Sequence, residues 1–392
     1  MLKVLNRWLL LLFVINIAFG LTSQLIQPLF PLYLRDIGAT EIQNALVISL
    51  GNLSSTLLML PGGMLIAKMG KRNLLLLSMA LSGSSVLLMA FTRDWTLVVP
   101  LNILFNVSMC FFMPTRMAII AENTTPTNRA SLFGVMNLAW PISGIIGPIA
   151  SGFLVETLGW GSVFVIASTI SLVSILPTFR AEEKKEEKEQ EAVKRVKGPS
   201  ILDRRYLPMM AVLFALQVFV TTSLAGINMI LPIFLEDKFK LSYSLIGMFF
   251  TGSNVLLLFT QILGGYMADR FGRRRLLLIC LALTPIAMGA MVLVDNWMVL
   301  FGLYALAFGL QSMTWPATLA FLTDLVPGEL RGTAFGLNMA GSRLGFTIGP
   351  LVAAFFYSAP ASSNPFLLAT AVFILGLPMA YLLKERTLPE SS

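Results

Sequence analysis

Twelve runs of apolar residues, each long enough to cross a bilayer as a helix of roughly 20 residues, limit what this chain can become. They fall near 8–34, 42–66, 73–92, 95–121, 131–155 and 160–179, then near 207–235, 243–267, 275–294, 297–323, 332–357 and 365–383. Hydrophobic residues make up 56% of the sequence and charged ones 12%, about half the charge of a soluble domain. In lipid a backbone must satisfy its own hydrogen bonds, and a helix does so within one segment. The expected fold is therefore an all-α integral membrane protein with twelve transmembrane helices. Lys3 and Arg7 ahead of an apolar run resemble a signal peptide. The run continues to Leu34 with no small-residue cleavage site, so an uncleaved first helix is expected.

Several function classes fall away. The chain has no His, and Cys110 and Cys280 each sit inside an apolar run, where they read as small core residues. No paired mid-membrane carboxylates or metal-ligand spacing occur, and Gly63 to Lys71 has the wrong spacing for a phosphate loop. No enzyme activity, cofactor or metal is expected. The net charge of +8 needs no nucleic-acid partner, because cytoplasmic loops of membrane proteins collect Lys and Arg. With the N-terminus inside, 22 Lys and Arg fall in cytoplasmic segments and 4 outside, namely Arg35, Arg93, Lys238 and Lys240. That bias predicts a multi-pass protein of the cell (plasma or inner) membrane with both termini cytoplasmic. Residues 180–206 hold Glu and Lys blocks followed by Gly198-Pro199. They read as a charged cytoplasmic linker between an N-terminal bundle, 1–179, and a C-terminal bundle, 207–392; a regulatory binding segment is the alternative.

A repeat runs through both bundles. Asn52 matches Asn254, Trp95 matches Trp297, Pro114 matches Pro316 and Glu122 matches Asp324, each 202 residues apart. Arg129 and Arg331, Gly134 and Gly336, and Gly147-Pro148 and Gly349-Pro350 keep the same offset. Two copies of one six-helix unit, alike in orientation because six is even, imply pseudo-symmetric halves of the kind that rock about a central site. The densest match joins Gly63, Gly70 and Lys71-Arg72 to Gly265, Gly272 and Arg273-Arg274. Only the acid fails to repeat, since Ala67 stands where Asp269 has its counterpart.

The turn Gly265-x-x-x-Asp269-Arg270-x-Gly272-Arg273-Arg274 and the Gly336, Gly345, Gly349-Pro350 series resemble the major facilitator superfamily, and within it the twelve-helix exporters of the drug:proton antiporter type. The resemblance covers nearly the whole chain. The glycine-proline stretch on helix five resembles a marker of exporters; on its residues alone it reads as a site of close packing and bending. Two positions depart from the family pattern: Ala67 replaces the first turn acid, and Asn102 stands where exporters carry an arginine on helix four. The resemblance implies that Asp269 docks on the start of a helix in the opposite half, where exposed N–H groups carry about half a positive charge. It implies a gating cluster of Asp269, Arg273, Asp324 and Arg129, with Arg270 and Gly272 shaping the turn. A weaker acid-less copy would use Lys71, Glu122 and Arg331. Enforcement of topology by Arg270 to Arg275 is the competing reading.

Charges inside a membrane are costly and usually functional. Arg343 lies eleven residues into the eleventh apolar run, about 16 Å from its cytoplasmic end at the helical rise, with no acid at similar depth in any run. It either binds an anionic or carbonyl-bearing substrate in bidentate fashion or bonds to backbone carbonyls, water and polar neighbours such as Asn338. Arg116 is shallower, and substrate path and structural anchor weigh equally for it. Polar stripes follow helical spacing: Asn16, Gly20, Gln24 and Gln27 on helix one; Asn102, Asn106, Met113 and Arg116 on helix four; Gln217, Thr221 and Asn228 on helix seven; Gln311 and Trp315 on helix ten. The family places these four helices around its cavity. The stripes read as a cavity wall; within them Gln24, Gln27, Asn106, Gln217, Asn228, Gln311 and Trp315, with Asn137, Trp140, Asn254 and Asn338 and the two arginines, are the candidate substrate contacts, each Asn or Gln having an interhelical hydrogen bond as its plainer role.

A proton carrier needs a titrating group, and arginine cannot serve. The acids outside the linker cluster at the ends of the apolar runs, so protons as a coupling partner would use a boundary acid or the substrate; facilitated diffusion or exchange is the rival. The expected function is a monomeric secondary transporter in the lipid bilayer, exporting amphipathic, anionic small molecules by alternating access. The alternatives are a lipid or lysolipid translocase and a non-transporting sensor or scaffold.

Overall fold

The computed structural model describes residues 7–123, 129–179, 207–325, 328–357 and 359–382; the charged stretch 180–206 lies outside them. Among the described residues the regular structure is helical throughout. The first repeat contains α1 (Arg7–Ile26), α2 (Phe30–Asp36), α3 (Glu41–Met69), α4 (Lys71–Met89), α5 (Trp95–Glu122), α6 (Arg129–Asn137), α7 (Ala139–Leu158), α8 (Trp160–Val173) and α9 (Ile175–Phe179). The second contains α10 (Leu207–Phe239), α11 (Tyr243–Phe271), α12 (Arg273–Ala290), α13 (Trp297–Leu325), α14 (Gly328–Phe356) and α15 (Asn364–Tyr381).

Three of the twelve spanning segments are broken, and each break has a proline behind it. Proline lacks an N–H, and its ring collides with the carbonyl four residues back. Pro31 ends α1 short of Gln27, Pro141 separates α6 from α7 at Leu138, and Pro177 separates α8 from α9 at Ser174. The twelve segments are thus α1–α2, α3, α4, α5, α6–α7, α8–α9 and α10 to α15. Eleven helices of the described residues are long and apolar enough to span a membrane; the remaining segment is α3, 29 residues long. Their outward faces are bare hydrocarbon, as at Phe259, Ile262, Ile286 and Phe355, which suits lipid.

The duplication is written into the backbone. The six described residues with positive φ form three pairs 202 apart: Gly38 with Lys240, Gly70 with Gly272, and Gly159 with Ala361. Gly70 (φ 77, ψ 158) and Gly272 (φ 91, ψ 137) stand at the starts of α4 and α12, in or beside a region that only glycine enters freely. A helix cap repeats too. Asp94 accepts from the Thr96 N–H at 2.9 Å, and Asn296, its equivalent, accepts from the Met298 N–H at 2.8 Å. The first of these bonds holds the Asp94 carboxyl below its ordinary range.

The chain forms two compact units, Met1–Lys184 with Leu231–Asn254, and Lys185–Ile230 with Val255–Ser392. In the first, α1 packs on α7 and α8, α5 on α3 and α4, and α4 on α8. In the second, α12 packs on α13 and α15. Matching close approaches use small residues on either partner. In the first unit a Cβ on Gly20 would lie 2.6 Å from the Ser143 hydroxyl oxygen, and one on Gly147 2.6 Å from Gln24 Cβ. In the second, the equivalents of Gly20 and Ser143 are Thr222 and Gly345, and the glycine has changed sides; Gly349 lies against the Thr222 carbonyl and Ala225. Without a hydrophobic drive between helices in lipid, such contacts carry the association. Gly349→Ala is expected to cost about 1–3 kcal/mol by overpacking, whereas Gly302→Ala, whose Cβ meets nothing within 4 Å, should be neutral or slightly stabilising. Thermal unfolding in detergent separates the two. Gly272→Ala should cost about 1–3 kcal/mol through backbone strain alone, read by the same melt.

Candidate functional site

The gating turns come first along the chain. At the α3–α4 turn, Lys71 forms an ion pair with Glu122 at the end of α5. These are the repeat equivalents of Arg273 and Asp324. At the α11–α12 turn, Arg270 is exposed; its Nη1 donates to the Tyr266 hydroxyl at 3.4 Å, and its guanidinium lies 5.7 Å from the Phe271 ring centre. Gly272 makes the turn, and Arg273 opens α12 half-buried. The side chains of Asp269, Asp324, Arg129 and Arg331 lie outside the described residues.

The glycine-proline stretch of α7 does more than pack. Pro148 has no N–H, so the Gly144 carbonyl loses its helical donor. Asn254 of α11 supplies one, donating from Nδ2 to that carbonyl at 2.9 Å. One residue on, the Thr251 hydroxyl sits on the next rung of the helix: it accepts from the Ile149 N–H at 3.1 Å and donates to the Ile145 carbonyl at 2.9 Å. Beside the α6–α7 break, Asn16 of α1 donates to the Met136 carbonyl at 2.6 Å. Asn254 and Asn16 thus complete the backbone of a neighbouring helix, as the low-dielectric surroundings demand.

The two intramembrane arginines differ sharply. Arg116, 2% exposed, donates from Nη2 to the Asn137 side-chain oxygen at 2.5 Å, tying α5 to the end of α6; its Nε is buried with no partner. Arg343 is the sixteenth of the 29 residues of α14 and half-buried. Among the described residues its side chain has no ion-pair or hydrogen-bond partner. Its neighbour Asn338 is 3% exposed, and its Oδ1 is likewise unpaired.

The other polar candidates divide into packing and open positions. Asn102 donates to the Val47 carbonyl at 2.8 Å, and Asn106 donates back to the Asn102 carbonyl at 2.9 Å, so this pair joins α5 to α3. Gln24 is half-buried where Gly147 meets its backbone, and Gln27 is exposed beyond the end of α1. Trp140 and Gln217 are half-buried, Asn137 is exposed, and Gln311 keeps a buried Oε1 without a partner. Asn228 is exposed and accepts from the Tyr304 hydroxyl at 2.9 Å. Trp315 is 42% exposed. Sequence reasoning missed Thr251; Pro148 signals a donor for the Gly144 carbonyl, which is Asn254, and nothing in the sequence announces the Thr251 contact with the next rung. No cluster that could hold a metal exists among the described residues.

Comparison with known proteins places this architecture. The profile of the Major Facilitator Superfamily matches residues 12–223 and 213–392. A cis,cis-muconate transport protein of Acinetobacter baylyi is 25% identical over 285 residues, 68% of this chain and 67% of the relative. Multidrug resistance protein 2 of Bacillus subtilis is 24% identical over 385 residues, 97% and 95% of the two chains. Among solved structures, a bacterial homologue of the human lysosomal transporter Spinster, inward-facing and occupied, has the same fold, with TM-score 0.82, 15% identity and 98% of both chains covered. The chain therefore belongs to the major facilitator superfamily, and as a multi-pass membrane transporter it moves solutes and is not an enzyme.

Proposed function

We propose that this transporter exports amphipathic, anionic small molecules across the cell membrane by alternating access, its two repeats, 1–179 and 207–392, rocking about a shared pathway with both termini on the cytoplasmic side. The observation that carries the reading is Arg343: a guanidinium at the middle of a membrane-spanning helix, half-buried, with no partner among the described residues. A permanent charge at that depth is costly, and a bidentate anion relieves the cost. Relatives named for muconate, an organic anion, and for multidrug resistance support the substrate class and the direction. Arg116 serves as an anchor in this reading, because Asn137 already occupies it. Coupling to protons would draw on a boundary acid or on the substrate. On the cytoplasmic side Asp269 fastens the closed pathway by docking on the start of the fifth segment, with Arg273, Asp324 and Arg129 around it.

Two outcomes test the reading. Binding of a panel of amphipathic carboxylates, measured by calorimetry on the purified protein, should weaken ten- to a hundredfold in Arg343→Ala, the equivalent of about 1.5–3 kcal/mol for a charge-assisted hydrogen bond; equal affinity in the variant refutes the role. Asp269→Asn should slow transport and raise the population open to the cytoplasm about 5- to 30-fold, for about 1–2 kcal/mol of charge at a helix terminus. An unaltered rate and an unaltered population dismiss the latch.

A further inference from the structure

The hairpin Leu231–Asn254 belongs by sequence to the second repeat, yet it is part of the first compact unit. A polar seam holds it there. Arg35, in the last turn of α2, forms ion pairs with Glu236 and Asp237, the second at 2.9 Å. Positions 35 and 237 are themselves repeat equivalents, 202 apart. Asp36 Oδ2 accepts from the Tyr243 hydroxyl at 2.8 Å and from Trp160 Nε1 at 2.8 Å, and the two rings stand edge to face. Glu156, in the last turn of α7, accepts the backbone N–H of Ser244 at 3.1 Å and also the Ser244 hydroxyl. Its carboxylate thereby occupies the amino terminus of α11, whose first turn has no acid of its own. Below this, Gly152 lies against the Tyr243 carbonyl and Gly247 against the Pro148 carbonyl, so close that a Cβ on either would collide.

We propose that this seam is the outer latch of the transport cycle: Glu156 on the start of α11, with Arg35 on Glu236 and Asp237, fastens the hairpin to the first repeat, and both contacts break when the pathway opens outward. The inference rests on the transport reading above. Its components suit a fastening that must let go. An acid on a helix terminus and half-buried ion pairs are attractions that water can replace when the seam parts. The glycine contacts beneath give close fit, and further along α11 the Thr251 and Asn254 bonds to the α7 backbone must part with the seam. The seam also explains where acids survive in the duplicated chain. Glu156 ends α7 and Asp269 lies near the end of α11, so the helix pair carries one acid for each side of the membrane, and neither acid has an acidic repeat equivalent at a described position.

Distance measurement between spin labels tests the latch without any substrate. Cysteines replace Ile42 and Met248, both exposed, in full-length protein carrying Cys110→Ala and Cys280→Ala. The unaltered latch should give one short distance between α3 and the hairpin. Glu156→Gln and Arg35→Gln should each raise a longer-distance population at least threefold, and Arg35→Asp combined with Asp237→Arg should lower it again. Unchanged distances in both single variants overturn the latch, as does an equal rise in Glu41→Gln, an acid outside the seam. Because the readout is a distance, its failure leaves the transport reading standing, and loss of anion binding in Arg343→Ala leaves the latch standing.

Discussion

In the bilayer a backbone carbonyl without a donor has no water to turn to, and Pro148 creates such a carbonyl at Gly144. The consequences organise the first unit. Pro148 strips the Gly144 carbonyl, and Asn254 answers it. Thr251 shares the next rung, and Asn16 meets the Met136 carbonyl beside the α6–α7 break. Each repair ties one helix to another at a fixed register, so a local loss becomes a tertiary contact. A proline that bends a helix is also a demand for a partner, and the partner's position fixes how the two helices meet.

The duplication sets a second constraint. Two copies must keep the same turns, and they do: the positive-φ positions and the Asp94 and Asn296 caps recur at one offset. Side-chain chemistry is freer. The small residue at the Gly20–Ser143 approach moves to the other helix at Thr222–Gly345, and Lys71–Glu122 stands where the second repeat has Arg273 and Asp324. Charge has been lost from one copy and kept in the other, as Ala67 and Asp269 show.

Much of the fold was legible because apolar length and a constant offset are one-dimensional signals. The segment boundaries lie within a few residues of those expected, and the three breaks trace to Pro31, Pro141 and Pro177. The site was legible in part. Arg343 stood out since a lone charge in an apolar run needs no structure to be noticed. The stripes of Asn and Gln were ambiguous for a physical reason: one amide can face a pathway or complete a neighbouring backbone with the same helical spacing. The structure distinguishes Asn16, Asn102 and Asn254, which bond to backbone, from Asn228, which stays exposed. The seam around Glu156 and Arg35 was hidden, since residues at the ends of five different segments meet there and no spacing along the chain announces it.

The central claim is that a solute anion crosses by binding at Arg343 and alternating between two sides. Counterflow in proteoliposomes addresses it most directly. Unlabelled organic anion inside the vesicles should accelerate entry of the same labelled anion, and Arg343→Ala should abolish that acceleration while the protein remains folded. Entry that is indifferent to anion on the far side, or an acceleration preserved in Arg343→Ala, would contradict the account.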